Sequence, residues 1–132
     1  SLIYKLEFVE VNHMYNTLLQ LEKDFFKISK ITDIIWLNDT LHDDFKEIGS
    51  SGLVFNKQDT MKALSSLKSN KEIAIYNFEF LNLKLDCWMV HYVTKDKNEM
   101  TYRTSIWLKE DRLKIIFHQA TKLNGQHTLN ES

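Results

Sequence analysis

The sequence predicts an α+β fold in which helices pack on one face of a curved antiparallel sheet. Near the start of the chain, apolar residues recur at three- and four-residue steps, which is typical of amphipathic helices. From Glu72 onward the apolar period is two, and the segments are rich in aromatic and β-branched residues, which is typical of strands. A length of 132 residues is that of one domain, and we expect this domain to span residues 1–123.

Three helices and a short strand are predicted in the first half of the chain. The first helix covers residues 4–26, and its apolar stripe consists of Val11, Met14, Tyr15, Leu18, Leu21 and Phe25. We expect Ser29 to cap a second helix that reaches His42, since a serine hydroxyl can accept a hydrogen bond from a free amide. Residues 44–48 alternate like a strand, and Asn56 is expected to cap a short third helix.

Four longer strands are predicted in the second half. They cover residues 73–85, 87–95, 100–109 and 113–123. The polar segments 96–98 and 110–111 are short enough for hairpin turns, so consecutive strands should pair antiparallel. Residues 124–132 have little to bury, and we expect this tail to be frayed.

Composition and charge exclude several classes of function. The formal net charge is -1, so no basic surplus points to nucleic acid or an anionic membrane. No stretch reaches the roughly 18 apolar residues that cross a bilayer. The single cysteine, Cys87, excludes an internal disulfide and a cysteine-based zinc cluster. With one cysteine and no export signal, we expect a cytoplasmic location.

Alternation along the predicted strands brings polar side chains together on one face. Arg103, Ser105 and Trp107 share a face of one strand. On the next strand, His118 and Ile115 are expected on opposite faces. A positive Arg103 among apolar strands is costly to bury unless an acid or a ligand meets it. Glu47 is the acid that we expect there.

These groups allow several kinds of chemistry. Glu47 would stay ionised as an anchor beside Arg103, whereas away from Arg103 it could accept a proton. His118 titrates near neutrality when unperturbed, so Glu47 and His118 are the candidate catalytic residues. Arg103 could also hold a ligand carboxylate through paired hydrogen bonds. The alternative is that the three residues form a structural polar network.

Other reactive arrangements are weakly indicated. Ser105 with His118 would form a nucleophile and base, but no nucleophile elbow surrounds Ser105. The histidines lack metal-ligand spacing, and the segment 49–52 lacks the lysine of a phosphate-binding loop. We therefore expect neither a metal nor a cofactor.

Several of these segments resemble the nuclear transport factor 2-like superfamily. The run 41–52, LHDDFKEIGSSG, resembles the motif that follows the second helix in a branch of uncharacterised bacterial proteins related to the SnoaL-like polyketide cyclases. The segments 103–107 (RTSIW) and 117–121 (FHQAT) resemble later parts of the pattern, in the same order. The positions that match this branch, and that the resemblance implies as ligand-binding, are Glu47, Tyr92, Arg103, Ser105, Trp107, His118 and Gln119.

The resemblance implies a cone-shaped roll, with about three helices partly closing a strongly bent sheet around a small-molecule pocket. It also implies a homodimer formed through the outer face of the sheet. Because the same fold serves many activities, three functions stay open. The first is binding of a small organic ligand in the cone. The second is cofactor-independent enzymatic proton transfer, of the isomerase, dehydratase or cyclase type, and the third is a dimeric protein-interaction module.

Overall fold

A computed structural model describes residues 1–69 and 73–132 of the chain. In these residues, the helices are α1 (Leu2–Asp24), α2 (Ile28–Ile31), α3 (Ile34–Thr40) and α4 (Lys57–Ser65). The strands are β1 (Leu41–Ile48), β2 (Val54–Asn56), β3 (Ala74–Lys84), β4 (Cys87–Asp96), β5 (Glu99–Lys109) and β6 (Leu113–Lys122). The predicted α+β fold is confirmed. None of the described helices combines the length and the apolar character needed to span a bilayer.

The six strands form one curved sheet in the order β2-β1-β6-β5-β4-β3. Neighbouring strands are antiparallel except β1 and β6, which run parallel. The sequence predicted both β1 and β6 but not their pairing, because a parallel neighbour about 70 residues away leaves no local turn signal. The short strand β2 was not predicted either, and it continues directly into α4.

Helix α1 crosses the inner face of the sheet diagonally. Tyr15 packs edge-on against Phe78 and Phe80 of the edge strand β3, with ring centroids 5.2 and 5.7 Å apart. Two turns later, Glu22 hydrogen-bonds to Trp107 of β5. The N-terminal half of α1 therefore extends past the β3 edge, and its apolar side chains are exposed, with Leu2 73% exposed.

The predicted second helix is interrupted. Its residues form two short helices, α2 and α3, separated at Asp33. The Asp33 carboxylate accepts a hydrogen bond from the Trp36 backbone N–H at 3.1 Å, so Asp33 caps α3. Lys27, not Ser29, is the residue that precedes α2, and its side chain makes no capping hydrogen bond. The fold thus contains four helices in the described residues instead of about three.

The prediction that Asn56 caps the last helix is confirmed. The Asn56 side chain accepts from the Asp59 N–H at 2.9 Å, and the Asp59 carboxylate accepts from the Asn56 N–H at 3.1 Å. This reciprocal pair satisfies two donors that a helix start otherwise leaves free. It fixes the start of α4, which packs beside β1 and β2.

The C-terminal tail, which we expected to be frayed, has partners in the structure. Asn77 of β3 has a positive φ of 55°, and its amide accepts from the Asn130 N–H at 2.7 Å and donates to the Thr128 carbonyl at 2.9 Å. The Ser132 N–H donates to the Ile75 carbonyl at 3.1 Å. These bonds cover the outer edge of the first half of β3, where unpaired backbone groups would otherwise be exposed.

Candidate functional site

The inner face of the sheet carries the candidate site in lateral rows of paired residues. One row runs from Val90 of β4 through Ser105 of β5 and His118 of β6 to Glu47 of β1. A neighbouring row contains Tyr92 and Arg103. Because residues directly opposite each other in a sheet lie about 5 Å apart, this register brings the predicted groups together from four strands.

The centre of the site is Glu22 of α1, which is 1% exposed. Its carboxylate accepts three hydrogen bonds from the sheet. The donors are the Tyr92 hydroxyl, the Ser105 hydroxyl at 3.2 Å and the Trp107 Nε1–H at 2.6 Å. Burial raises the pKa of Glu22, while these donors and the charge of Arg103 act in the opposite direction. The helix is thus joined to β4 and β5 by one buried acid.

The hydrogen-bond network fixes the tautomer of His118. Ser105 has one hydroxyl proton, and that proton is donated to Glu22. The 2.7 Å contact between the Ser105 Oγ and His118 Nδ1 therefore requires an Nδ1–H that donates to Ser105. His118 Nε2 is then free to accept from the Arg103 guanidinium at 3.3 Å.

His118 is neutral in this network. It is 8% exposed, and burial together with the nearby Arg103 charge lowers the pKa of His118 to about 3. Because its Nδ1–H points at Ser105, the imidazole cannot take the hydroxyl proton of that serine. The arrangement therefore does not form a nucleophile and base of the serine-hydrolase kind.

Arg103 is partly exposed and lies at the edge of this network, where it lines a cavity. Its Nε–H donates to the Thr94 hydroxyl at 2.8 Å, and its guanidinium carbon lies 5.2 Å from the centre of the Phe26 ring. With one further bond to His118, two of its five N–H groups are used among the described residues. The remaining donors can serve a bound molecule.

A cavity of about 320 Å³ lies between the sheet and the helices. Its apolar wall includes Phe25, Phe26, Ile31, Leu41, Phe45 and Leu64. Its polar lining includes Glu22, Glu47, Thr60, Tyr92, Arg103 and His118. This volume is at the lower end of the range of small-molecule pockets, and the mixture of an apolar wall with a few polar groups is typical of them.

Two of the polar groups lining the cavity have no hydrogen-bond partner among the described residues. The half-buried Glu47 carboxylate makes neither a hydrogen bond nor an ion pair within 4.0 Å, although we expected it to meet Arg103 directly. Burial raises the pKa of Glu47, and the charge of Arg103 partly offsets this effect. The Thr60 hydroxyl of α4 is also unpaired, and Thr60 is only 2% exposed.

The structure brings together six of the seven sequence-predicted residues. Glu47, Tyr92, Arg103 and His118 line the cavity, while Ser105 and Trp107 lie beneath it and bind Glu22. Gln119 is not brought to the site: it is exposed and follows His118 on β6, so it points to the other face of the sheet.

A register shift between β5 and β6 corrects the predicted faces of β6. Strict alternation would place Ile115 and His118 on opposite faces, yet both line the cavity. The pairing shifts between Ile106 and Trp107, which adds one residue to β6 at this point. The extra residue lets both side chains face inward.

Sequence reasoning missed Glu22, although a signal for it was present. Glu22 follows Leu18 by four residues and precedes Phe25 by three, so it lies on the apolar stripe of α1. An acidic residue on a stripe that must be buried needs polar partners in the core.

The described residues contain no group of three or more His, Cys, Asp or Glu side chains able to hold a metal ion.

Comparison with solved structures shows an NTF2-like fold. An NTF2-like protein from Cytophaga hutchinsonii is 20% identical and superposes with a TM-score of 0.66, covering 82% of this chain and 97% of its own. An NTF2-like protein of unknown function from Pseudomonas aeruginosa is 15% identical, with a TM-score of 0.64 and coverage of 83% and 97%. A protein of unknown function from Pectobacterium atrosepticum is 11% identical, with a TM-score of 0.68 and coverage of 83% and 87%.

These likenesses show the fold alone, and they confirm the cone-shaped α+β architecture that the resemblance implied. The SnoaL-like branch stays a prediction. No protein-family model matches the sequence, and a search of curated proteins finds no match to it. Because such low identities carry the fold alone, any function must be argued from the site.

Proposed function

We propose that the protein binds a small organic molecule in the cavity between the sheet and α1, α2 and α4. The observation that carries this proposal is the unpaired Glu47 carboxylate and Thr60 hydroxyl in a cavity of about 320 Å³ that also has an apolar wall. Buried polar groups without partners cost free energy, so a molecule that satisfies them gains affinity. The buried network of Glu22, Ser105 and His118 holds Arg103 in place beside the ligand.

A titration with three six-carbon compounds tests this proposal. Hexan-1-ol, hexanoate and hexylamine share one apolar chain and differ only in the polar head. We expect saturable binding of at least one of them, followed by NMR shifts at Tyr92, Arg103 and His118. Leu64→Trp fills the cavity and should abolish binding, whereas Leu85→Trp, at an 87% exposed turn position, should not. Absence of binding by all three compounds contradicts the proposal.

A second candidate is cofactor-independent proton transfer. It is favoured by the position of Glu47, an acid with a raised pKa that shares the cavity with unused N–H donors of Arg103. Glu47 would accept a proton from carbon while Arg103 stabilises the negative charge that develops on a carbonyl oxygen. His118 has both ring nitrogens engaged, so we assign it a positioning role in this chemistry.

The enzymatic candidate is tested by hydrogen–deuterium exchange at the carbon next to the carbonyl of cyclohexanone. The wild-type protein should accelerate this exchange in D2O, and Glu47→Gln should remove the acceleration. Glu10→Gln makes the same chemical change at an exposed position of α1 and should leave the rate unchanged. Equal rates for the wild type and Glu47→Gln would exclude this role of Glu47.

We also propose a homodimer formed through the outer face of the sheet. The support is an apolar row that crosses four strands in register, namely Leu81, Met89, Ile106 and Phe117. Leu81 is 53% exposed, and the other three are partly exposed. Apolar patches of this kind mark association surfaces.

Light scattering at micromolar concentration should give about twice the chain mass of 15.7 kDa. Leu81→Asp should yield the monomer, whereas Ser65→Asp adds the same charge at an exposed position of α4 and should not. A monomer at every concentration of the wild type would remove the dimer from the proposal.

A further inference from the structure

The charges that line the cavity do not balance. Arg103 is the one positive side chain among the described residues of the lining, and Glu22 and Glu47 are the negative ones. The Arg103 guanidinium lowers the pKa of both acids, so its single positive charge acts on Glu22 and on Glu47. His118 is neutral. When Glu22 and Glu47 are both ionised, the described lining therefore carries one negative charge more than Arg103 balances.

Two groups in the cavity that lack a partner can accept hydrogen bonds, and they lie in the same lining as the unused N–H donors of Arg103. The Glu47 carboxylate can only accept hydrogen bonds when it is ionised, and the Thr60 hydroxyl has two lone pairs to offer. Thr60 is 2% exposed and lines the cavity. A ligand with several N–H donors would pair with these acceptors, whereas a carboxylate ligand would be attracted by Arg103 but repelled by Glu47.

The aromatic part of the wall favours the same kind of head group. Phe25, Phe26 and Phe45 line the cavity, and Phe26 already lies under the Arg103 guanidinium. Aromatic faces attract cations through their quadrupole and also bury the apolar part of a ligand. An ammonium with a short hydrocarbon body therefore matches the wall as well as the polar groups.

We infer that the ligand of this cavity is a small primary amine, whose ammonium group binds Glu47 and the Thr60 hydroxyl while its hydrocarbon body lies against the phenylalanine wall. This inference rests on the proposed small-molecule binding and specifies the chemical class of the ligand. The Arg103 guanidinium then stays bonded to Thr94 and His118, and it does not bind the ligand head.

The three six-carbon compounds also test the ligand class. By calorimetric titration at neutral pH, hexylamine should bind at least tenfold more tightly than hexanoate and more tightly than hexan-1-ol. Glu47→Gln should weaken hexylamine at least fivefold and leave hexan-1-ol within about twofold, because only the charge is removed. Thr60→Val should weaken hexylamine to a smaller extent. Glu10→Gln, at an exposed position, should leave all three affinities unchanged.

The outcomes separate this inference from the proposed function. Tighter binding of hexanoate or hexan-1-ol would overturn the amine class while leaving a small-molecule pocket in place. Hexylamine affinity that is equal in the wild type and Glu47→Gln would likewise overturn it. Failure of all three compounds to bind would overturn both the inference and the proposed function.

Discussion

The Trp107 Nε1–H donates to the Glu22 carboxylate at 2.6 Å and so joins β5 to α1 across 85 positions of the chain. Both residues are buried, at 0% and 1% exposure. A hydrogen bond to a charged group in a dry environment is stronger than one between neutral groups, and leaving either side unpaired there is costly. This pair therefore determines how α1 lies on the sheet above the cavity.

Glu22→Ala should lower the free energy of unfolding by about 3–5 kcal/mol, because it leaves the Tyr92, Ser105 and Trp107 donors without an acceptor. Urea unfolding measures the change. Glu10→Ala removes an exposed acid from the same helix and should stay within about 0.5 kcal/mol of the wild type. Similar losses in the two variants would show that the buried acid is not an anchor.

His118 should make stability depend on pH. Its folded pKa of about 3 lies below the ordinary value of 6.5, so the unfolded chain binds more protons in this interval. Stability should therefore fall as the pH is lowered from 6.5 toward 3, by up to about 1.4 kcal/mol per pH unit from this group. The raised pKa values of Glu22 and Glu47 have the opposite effect on stability. These two acids favour the folded state at low pH, and that stabilisation is lost as the pH rises.

The difference between the wild type and His118→Gln in urea unfolding at a series of pH values isolates the histidine. The two curves should converge as the pH falls. A direct measurement is nitrogen NMR of the wild-type ring at pH 5, which should show a neutral imidazole with its proton on Nδ1. A protonated ring at pH 5 would contradict the buried network.

Thr60 and Thr40 should respond in opposite ways to the same substitution. The Thr40 hydroxyl donates to the Trp36 carbonyl at 2.7 Å, whereas the Thr60 hydroxyl is unpaired among the described residues. Thr60→Val should raise the free energy of unfolding by about 1 kcal/mol, and Thr40→Val should lower it by about 1 kcal/mol. Urea and thermal unfolding measure both changes. If Thr60→Val and Thr40→Val lower the free energy of unfolding equally, the Thr60 hydroxyl has a partner in the free protein.

The Asn77 amide should control the attachment of the tail. Asn77→Gly removes both side-chain hydrogen bonds to residues 128 and 130 but keeps the backbone free to adopt a positive φ. Hydrogen exchange at the Asn130 and Ser132 amides should become about tenfold faster. Asn98→Gly, in the turn between β4 and β5, should leave these two amides unchanged. Unchanged exchange in Asn77→Gly would show that the tail is held without the Asn77 side chain.

Local patterns predicted most of the fold. The four long strands, the hairpin turns and the Asn56 cap all leave signals within a few residues, and each is present in the structure. Interruption of the second helix at Asp33 was missed because an aspartate in a helical pattern can equally be an exposed residue. The parallel pairing of β1 with β6 depends on contacts far apart in the chain, which periodicity does not encode.

Only part of the site could be predicted, again because local patterns do not encode contacts between residues far apart in the chain. Alternation correctly placed Arg103, Ser105 and Trp107 on one face, but it could not show which acid lies above them. We expected Glu47, which the resembling motif also contains, whereas Glu22 comes from a helix whose register over the sheet is a tertiary property. Gln119 was included because it matches the resembling pattern in residues 117–121, but it follows His118 directly, and one step along a strand reverses the face.

The parallel neighbours β1 and β6 have a consequence for the order of folding. Glu47 reaches His118 only after the last strand has docked, and Glu22 meets Trp107 across a similarly long stretch of chain. Closing such long loops costs entropy before any contact is gained, which slows folding. We therefore expect the hairpins of β3, β4 and β5 to form early, and the cavity to assemble in the final kinetic step. During synthesis the chain would lack this cavity until β6 has left the ribosome, because Ile115 and His118 of β6 form part of its lining.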